Sequence, residues 1–180
     1  MSRAFVKEDD AGEAPIIPPR AALPPGTPNY VTPRGLEKLR EELAELEAER
    51  SLVEANRENE ADRTRQLTVL NARLSALSGR LASAKVVDPL SQTSDEVRFG
   101  ATVTLITRSG GKPGTMREFT IVGVDEASVA EGRIAFVAPI ARAITGARLG
   151  QTVKLRMGRV EEEVEVTEIA YEGGDAAGGE

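Results

Sequence analysis

Between residues 32 and 88 the apolar positions recur at alternating spacings of three and four, the pattern of helices that bury one stripe. Leu36, Leu39, Leu43, Leu46 and Val53 make a first run, with Arg50 in its remaining slot. Leu67, Leu70, Leu74, Leu77, Leu81 and Ala84 make a second. Thr32-Pro33 predicts the start of the first helix, because threonine caps free amides and proline fits the first helical position. Val86-Val87-Asp88-Pro89 predicts the end of the second, since proline disfavours helix at the residue before it. The runs mirror each other about residue 60, setting Leu36 against Ala84, Leu39 against Leu81, Leu43 against Leu77, Leu46 against Leu74, Arg50 against Leu70 and Val53 against Leu67. A coiled coil between two copies has the same periodicity. The mirrored register favours one antiparallel coiled-coil arm over 30–88, on the order of 36 Å long with its tip near 58–62. Glu37, Glu41, Glu42, Glu45, Glu47 and Glu49 on the first run face Arg63, Arg65, Arg73 and Arg80 on the second, which predicts attraction across the pair.

After residue 96 the period shortens. Runs rich in Val, Ile and Thr predict strands at Ala101–Thr107, Glu118–Val124, Arg133–Val137, Thr152–Met157 and Glu161–Ile169, separated by glycine-bearing turns. One helical piece, Ile140 to Ile144 between Pro139 and Gly146, is predicted to cover a sheet face or edge. The fold class is therefore α+β: a coiled-coil arm, a polar linker over 89–96, and a small, mainly antiparallel β domain over 97–171 with one short helix. Residues 1–29 hold Pro15, Pro18, Pro19, Pro24, Pro25 and Pro28 and read as a disordered tail, and 172–180 as a flexible one.

The chain has no cysteine and no histidine, which excludes disulfides, thiolate sites and imidazole acid–base chemistry. Metal contacts are left to carboxylates, whose oxygens suit hard cations such as magnesium. A net charge of −6 and the absence of tryptophan argue against independent, sequence-specific DNA binding and point to a protein as main partner. No stretch approaches the roughly 20 apolar residues of a membrane span, and Met-Ser-Arg-Ala-Phe-Val-Lys-Glu lacks a signal-peptide core, so the expected location is cytoplasmic, without a membrane partner. Glu58, Glu60 and Asp62 crowd three carboxylates at the predicted tip. They are either a solvated turn or ligands presented to a cation.

Tyr30-Val31-Thr32-Pro33-Arg34-Gly35-Leu36-Glu37-Lys38-Leu39-Arg40-Glu41-Glu42-Leu43 resembles the opening of the GreA and GreB transcript cleavage factors. Leu81-Ala82-Ser83-Ala84-Lys85-Val86-Val87-Asp88 is similar to the end of their coiled coil. Val97 to Thr104 and Ile121 to Ala127 are similar to their next two strands, and Ala138-Pro139-Ile140-Ala141-Arg142 matches their Ser-Pro-Ile-Ala-Arg in all but its first residue. The resemblance covers about 30–171 and is to a divergent, GreB-like or Rnk-like paralogue with a shortened coiled coil. It implies an FKBP-like C-terminal domain that docks on the RNA polymerase core through Pro139, Ile140 and Arg142. The arm would enter the secondary channel and come near the nascent RNA. In the family, tip carboxylates help hold a magnesium ion in the polymerase active centre, so Glu58, Glu60 and Asp62 are the candidate catalytic and metal-holding residues. The chain is then a stimulator of the polymerase's own two-metal hydrolysis, not an enzyme, with no cofactor of its own and monomeric when free. The family's leading tip aspartate has no counterpart, since Ala55 lies three before Glu58, and no tyrosine follows Asp62. A secondary-channel binder that does not stimulate cleavage therefore stays open, as does a coiled-coil dimerising protein. Prolyl isomerisation, which needs an aromatic-lined pocket, has only Phe99, Phe119, Phe136 and Tyr171 to draw on in this half of the chain.

Overall fold

The computed structural model describes residues 14–93 and 95–171, so the first thirteen residues of the predicted tail, Ser94 and the predicted tail at 172–180 lie outside the described residues. Helix α1 spans Pro33–Ala55. Thr32 caps it, its hydroxyl oxygen accepting from the Gly35 amide at 2.9 Å, with Pro33 in the first turn. Helix α2 spans Glu60–Ser83 and starts under Asn59. Four residues, Asn56–Asn59, join them, which puts the turn's centre two to three residues before the predicted axis. Asn59 captures the free amides of α2 through its side chain, so the helix begins earlier than a seam mirrored about residue 60 requires.

The two helices pack side by side and antiparallel. Leu39, Leu46, Leu70, Leu74 and Leu77 are buried together with Val31, and Leu36, Leu43, Val53, Leu81 and Ala84 pack against them. Burying each such leucine contributes roughly 1.5–3 kcal/mol, so the stripe accounts for the pairing. Charge adds no direct contact: among the described residues no ion pair joins α1 to α2, and the predicted attraction survives only as the pull of Arg73 on Glu42. Arg50 reaches Glu54 on its own helix at 3.5 Å, Glu42 turns to Arg20, and Arg80 turns to Asp125. Exposed pairs gain little, and partly buried partners elsewhere outcompete them.

At the base of the pair lie two short strands, β1 at Asn29–Val31 and β2 at Ala84–Val86, paired in parallel. The sequence reading had Ala84 closing the helical seam. In the structure it is the first strand residue, and Asn29, 2% exposed, marks the change. Its amide nitrogen donates to the Arg80 carbonyl at 2.9 Å and to the Ser83 hydroxyl at 3.2 Å, satisfying groups at the end of α2 that the helix cannot.

The second half is a five-stranded curled sheet. Its strands are β3 (Ala101–Ser109), β4 (Met116–Val122), β5 (Arg133–Ala135), β6 (Thr152–Met157) and β7 (Val160–Tyr171), in the order β5-β4-β3-β7-β6. Three pairings are antiparallel, and β4–β5 is parallel. A bulge at Thr167 places Thr104 opposite Glu168 but Leu105 opposite Val166. The extra residue switches the inward-facing parity, so Val164 and Val166 and then Ile169 all enter the core. Helix α3, Pro139–Ile144, touches both edge strands, with Ala141 and Ile144 buried among the sheet's side chains. The predicted cover is thus the plug around which the sheet curls.

Gly35 and Gly79 separate two roles for helical glycine. A Cβ on Gly35 would lie 2.6 Å from Glu126 Oε2, whereas one on Gly79 meets nothing within 4 Å. Gly35→Ala is expected to destabilise by about 1–3 kcal/mol by displacing a buried carboxylate. Gly79→Ala should stabilise by about 0.8–1.0 kcal/mol through helix propensity alone. Urea unfolding of both variants measures the opposite signs.

Candidate functional site

The far end of the helix pair presents the acidic turn. Glu58 is exposed, its amide donating to Asn56 Oδ1 at 2.9 Å. Glu60 and Asp62, also exposed, already belong to the first turn of α2, where negative charge suits the positive helix end. Asp62 is engaged: its Oδ2 accepts from Asn59 Nδ2 at 2.7 Å, while its amide donates to Asn59 Oδ1 at 3.1 Å, a reciprocal cap. Arg63 Nη1 donates to the Asn56 carbonyl at 3.1 Å and closes the loop. Glu58 and Glu60 make no side-chain bond of this kind among the described residues. No three acids of the described residues converge to hold an ion. Oxygens at this turn therefore fit a hard cation only as a minority of its ligands.

In the sheet domain, α3 shows Pro139 and Arg142 to solvent and half-buries Ile140, while Ala141 and Ile144 anchor it from below. Leu149, 59% exposed, lies shortly beyond it in the chain. Leu149 and Pro139 are exposed apolar groups, and the Arg142 side chain makes no hydrogen bond or ion pair among the described residues.

What sequence reasoning missed is the joint between the halves. Thr32 donates its hydroxyl proton to Glu126 Oε2 at 2.6 Å, and Glu126 Oε1 meets Arg133 Nη1 at 2.5 Å. Beside it, Asp125 receives Arg20 at 2.9 Å and Arg80 Nε at 3.1 Å. Tyr30, Phe99 and Phe136 complete the joint, their ring centroids 5.5–5.8 Å apart. Of the aromatics weighed for an isomerase pocket, Phe99 and Phe136 pack against each other and Tyr30 here. Tyr171 serves the linker instead: its hydroxyl donates to the Glu96 carbonyl at 2.6 Å and accepts from the Arg98 amide at 3.0 Å, and burial pushes its phenol up. The only local hint of the joint was an arginine within the proline-rich stretch.

With this geometry in place, comparison with known proteins is decisive. The model for the GreA/GreB transcription elongation factor C-terminal domain matches residues 92–171. A transcription elongation factor GreA of Alkalilimnicola ehrlichii is 35% identical over 156 residues, a match taking in 78% of this chain and 96% of the relative. The chain belongs to the GreA/GreB family. A transcription elongation factor GreB of Neisseria meningitidis is likewise 35% identical, over 159 residues, covering 81% of this chain and 95% of its own. Among solved structures, GreA factor homolog 1 (Gfh1) of Thermus thermophilus aligns with 80% of this chain and 99% of its own at 18% identity. The TM-score of 0.37 is too loose to bear on any detail. As a GreA/GreB family member the chain carries both the paired helices and the curled sheet domain. Among the described residues no helix is long and apolar enough to cross a membrane.

Two measurements test this geometry. Asn59→Ala removes the reciprocal cap of the turn and is expected to cost about 1 kcal/mol in chemical unfolding. Glu58→Ala should stay within about 0.5 kcal/mol. At the joint, the Arg20 guanidinium bonded to Glu42 holds that carboxyl below its usual 4.5. Because the folded pKa is the lower one, the contribution is complete above 4.5 and disappears as pH falls through the folded value. Stability measured against pH should therefore drop more steeply below that point in the wild type than in Arg20→Ala, and the two curves should converge in acid.

Proposed function

We propose that this protein is an RNA polymerase-binding regulator of elongation that docks through the C-terminal domain and inserts the helix pair into the secondary channel. The observation that carries this reading is the placement of an exposed acidic turn at the far end of a slender helix pair in a GreA/GreB family chain. Helix α1 has 23 residues, about 35 Å at 1.5 Å per residue, a length suited to a probe. In this reading the helix pair is the family's coiled coil, the curled sheet is its FKBP-like domain, and the protein works in the cytoplasm, monomeric when free. Pro139, Ile140 and Arg142 form the docking face, combining an apolar edge with a cation.

Glu58 and Glu60 would supply carboxylate oxygens to a magnesium ion held chiefly by the polymerase, beside the nascent RNA. Asp62 would hold the turn in shape through Asn59. When bound, such ions neutralise the charge that builds on an attacked phosphate. The chain's own part is to carry the carboxylates to depth and keep them aimed. It is a stimulator of the partner's hydrolysis, not an enzyme. A second reading, occupation of the channel without stimulation, is favoured by the engagement of Asp62 in the cap, which leaves two of the three acids uncommitted.

Cleavage of RNA in a backtracked elongation complex separates the readings. Wild type is expected to speed cleavage, and the combined Glu58→Gln, Glu60→Gln, Asp62→Asn variant, which keeps the shapes and removes the charges, to lose the effect while still binding. Wild type that binds yet leaves cleavage unchanged or slower identifies the channel-occupying regulator. An Arg142→Ala variant that binds the polymerase as tightly as wild type would remove the docking assignment.

A further inference from the structure

Residues 14–28 belong to the stretch read from sequence as a disordered tail, yet Arg20 is bound by two carboxylates. Its Nη1 and Nη2 grip the Glu42 carboxylate of α1 at 2.8 and 3.0 Å, and its Nε and Nη2 reach Asp125 Oδ1, beyond β4, at 3.1 and 2.9 Å. Arg80 of α2 donates to the Ala21 carbonyl at 2.5 Å and pairs with the second oxygen of Asp125. The side chains of Arg20, Arg80 and Asp125 are 18%, 12% and 9% exposed, so water screens these contacts less than it would surface pairs. Two features lower the cost of ordering the segment. Pro18 and Pro19 fix its backbone just before Arg20. Downstream, a turn with Thr27 N donating to Pro24 O at 3.1 Å and Gly26 at φ +76 reverses the chain into β1.

We propose that residues 17–21 act as a clasp that fixes the angle between the helix pair and the sheet domain, with Arg20 as its pin. The Thr32–Glu126–Arg133 bonds and the Tyr30–Phe99–Phe136 cluster hold the start of α1, and Arg80 ties the end of α2 to Asp125, so these contacts gather at the foot of the pair and leave it a pivot. Glu42 lies ten residues along α1, about 15 Å from that pivot. A tie there to Asp125 turns the pivot into a braced joint. The lowered carboxyl of Glu42 and the raised guanidinium of Arg20 are both caused first by the hydrogen bond between them, as an engaged clasp requires. Opening the clasp would let the acidic turn swing, so the clasp sets the aim of the arm. The inference bears on the reading above but is tested without a polymerase.

The chain has no cysteine, so spin labels can be placed on Arg65→Cys in α2 and Arg159→Cys beyond β6 in the full-length protein without side reactions. Pulsed electron paramagnetic resonance between them should give one narrow distance peak. Arg20→Ala should lose that narrow peak and spread toward both longer and shorter distances, with an unchanged circular dichroism spectrum. Glu42→Gln, which keeps the side chain's shape, should spread it as well, and it decides the matter should Arg20→Ala lose helix signal. Narrow peaks in the variants, or a broad distribution already present in wild type, would overturn the clasp. Cleavage assays that fail while the distances behave as expected would count against the polymerase reading alone.

Discussion

Glu126 is 5% exposed, and a carboxylate that far from water is tolerated only because both of its oxygens are met. Thr32 supplies one partner from the entry to α1, and Arg133 supplies the other from β5. Thr32 thereby does two jobs, accepting from the Gly35 amide as a helix cap while donating to the carboxylate. Gly35 has no side chain because the carboxylate occupies the space where a Cβ would stand. Breaking such a buried set by removing one partner typically costs about 3–5 kcal/mol. The joint between helix pair and sheet rests on this arrangement, and the aromatic cluster of Tyr30, Phe99 and Phe136 packs nearby.

Charge is distributed according to burial. The acids of α1 and the arginines of α2 form no contact ion pair among the described residues. Glu42 and Arg80 are drawn instead to the base, where Arg20 and Asp125 offer less-hydrated partners. Apolar packing therefore holds the pair along its length, and directional polar contacts hold it at its foot. Among the described residues this division leaves the far turn without tertiary bonds: Asn56, Asn59, Asp62 and Arg63 bond among themselves and with neighbouring backbone. A turn that folds from local contacts alone can present Glu58 and Glu60 to a partner without disturbing the core.

In this GreA/GreB family chain the helix pair and the sheet domain meet at one joint. The sheet curls around α3, so one short segment both fills the core with Ala141 and Ile144 and shows Pro139 and Arg142 to solvent.

Much of this was determined by sequence alone, because it rests on interactions between near neighbours. The three-and-four spacing of the leucines marked the helices. Thr32-Pro33 marked where α1 begins, and Val, Ile and Thr runs between glycines marked all five strands of the sheet domain. The acidic turn was placed to within a few residues, and the local cap of Asn59 with Asp62 accounts for the difference. The tertiary structure alone decided the joint, since Arg20 and Asp125 are 105 positions apart and Thr32 and Glu126 are 94 apart. It also decided that Ala84 would leave the helix to pair beside β1, that an extra residue in β7 would switch which side chains face inward, and that part of a proline-rich segment would be pinned. None of these leaves a periodic trace, because each depends on which groups are brought together out of water after the chain has folded.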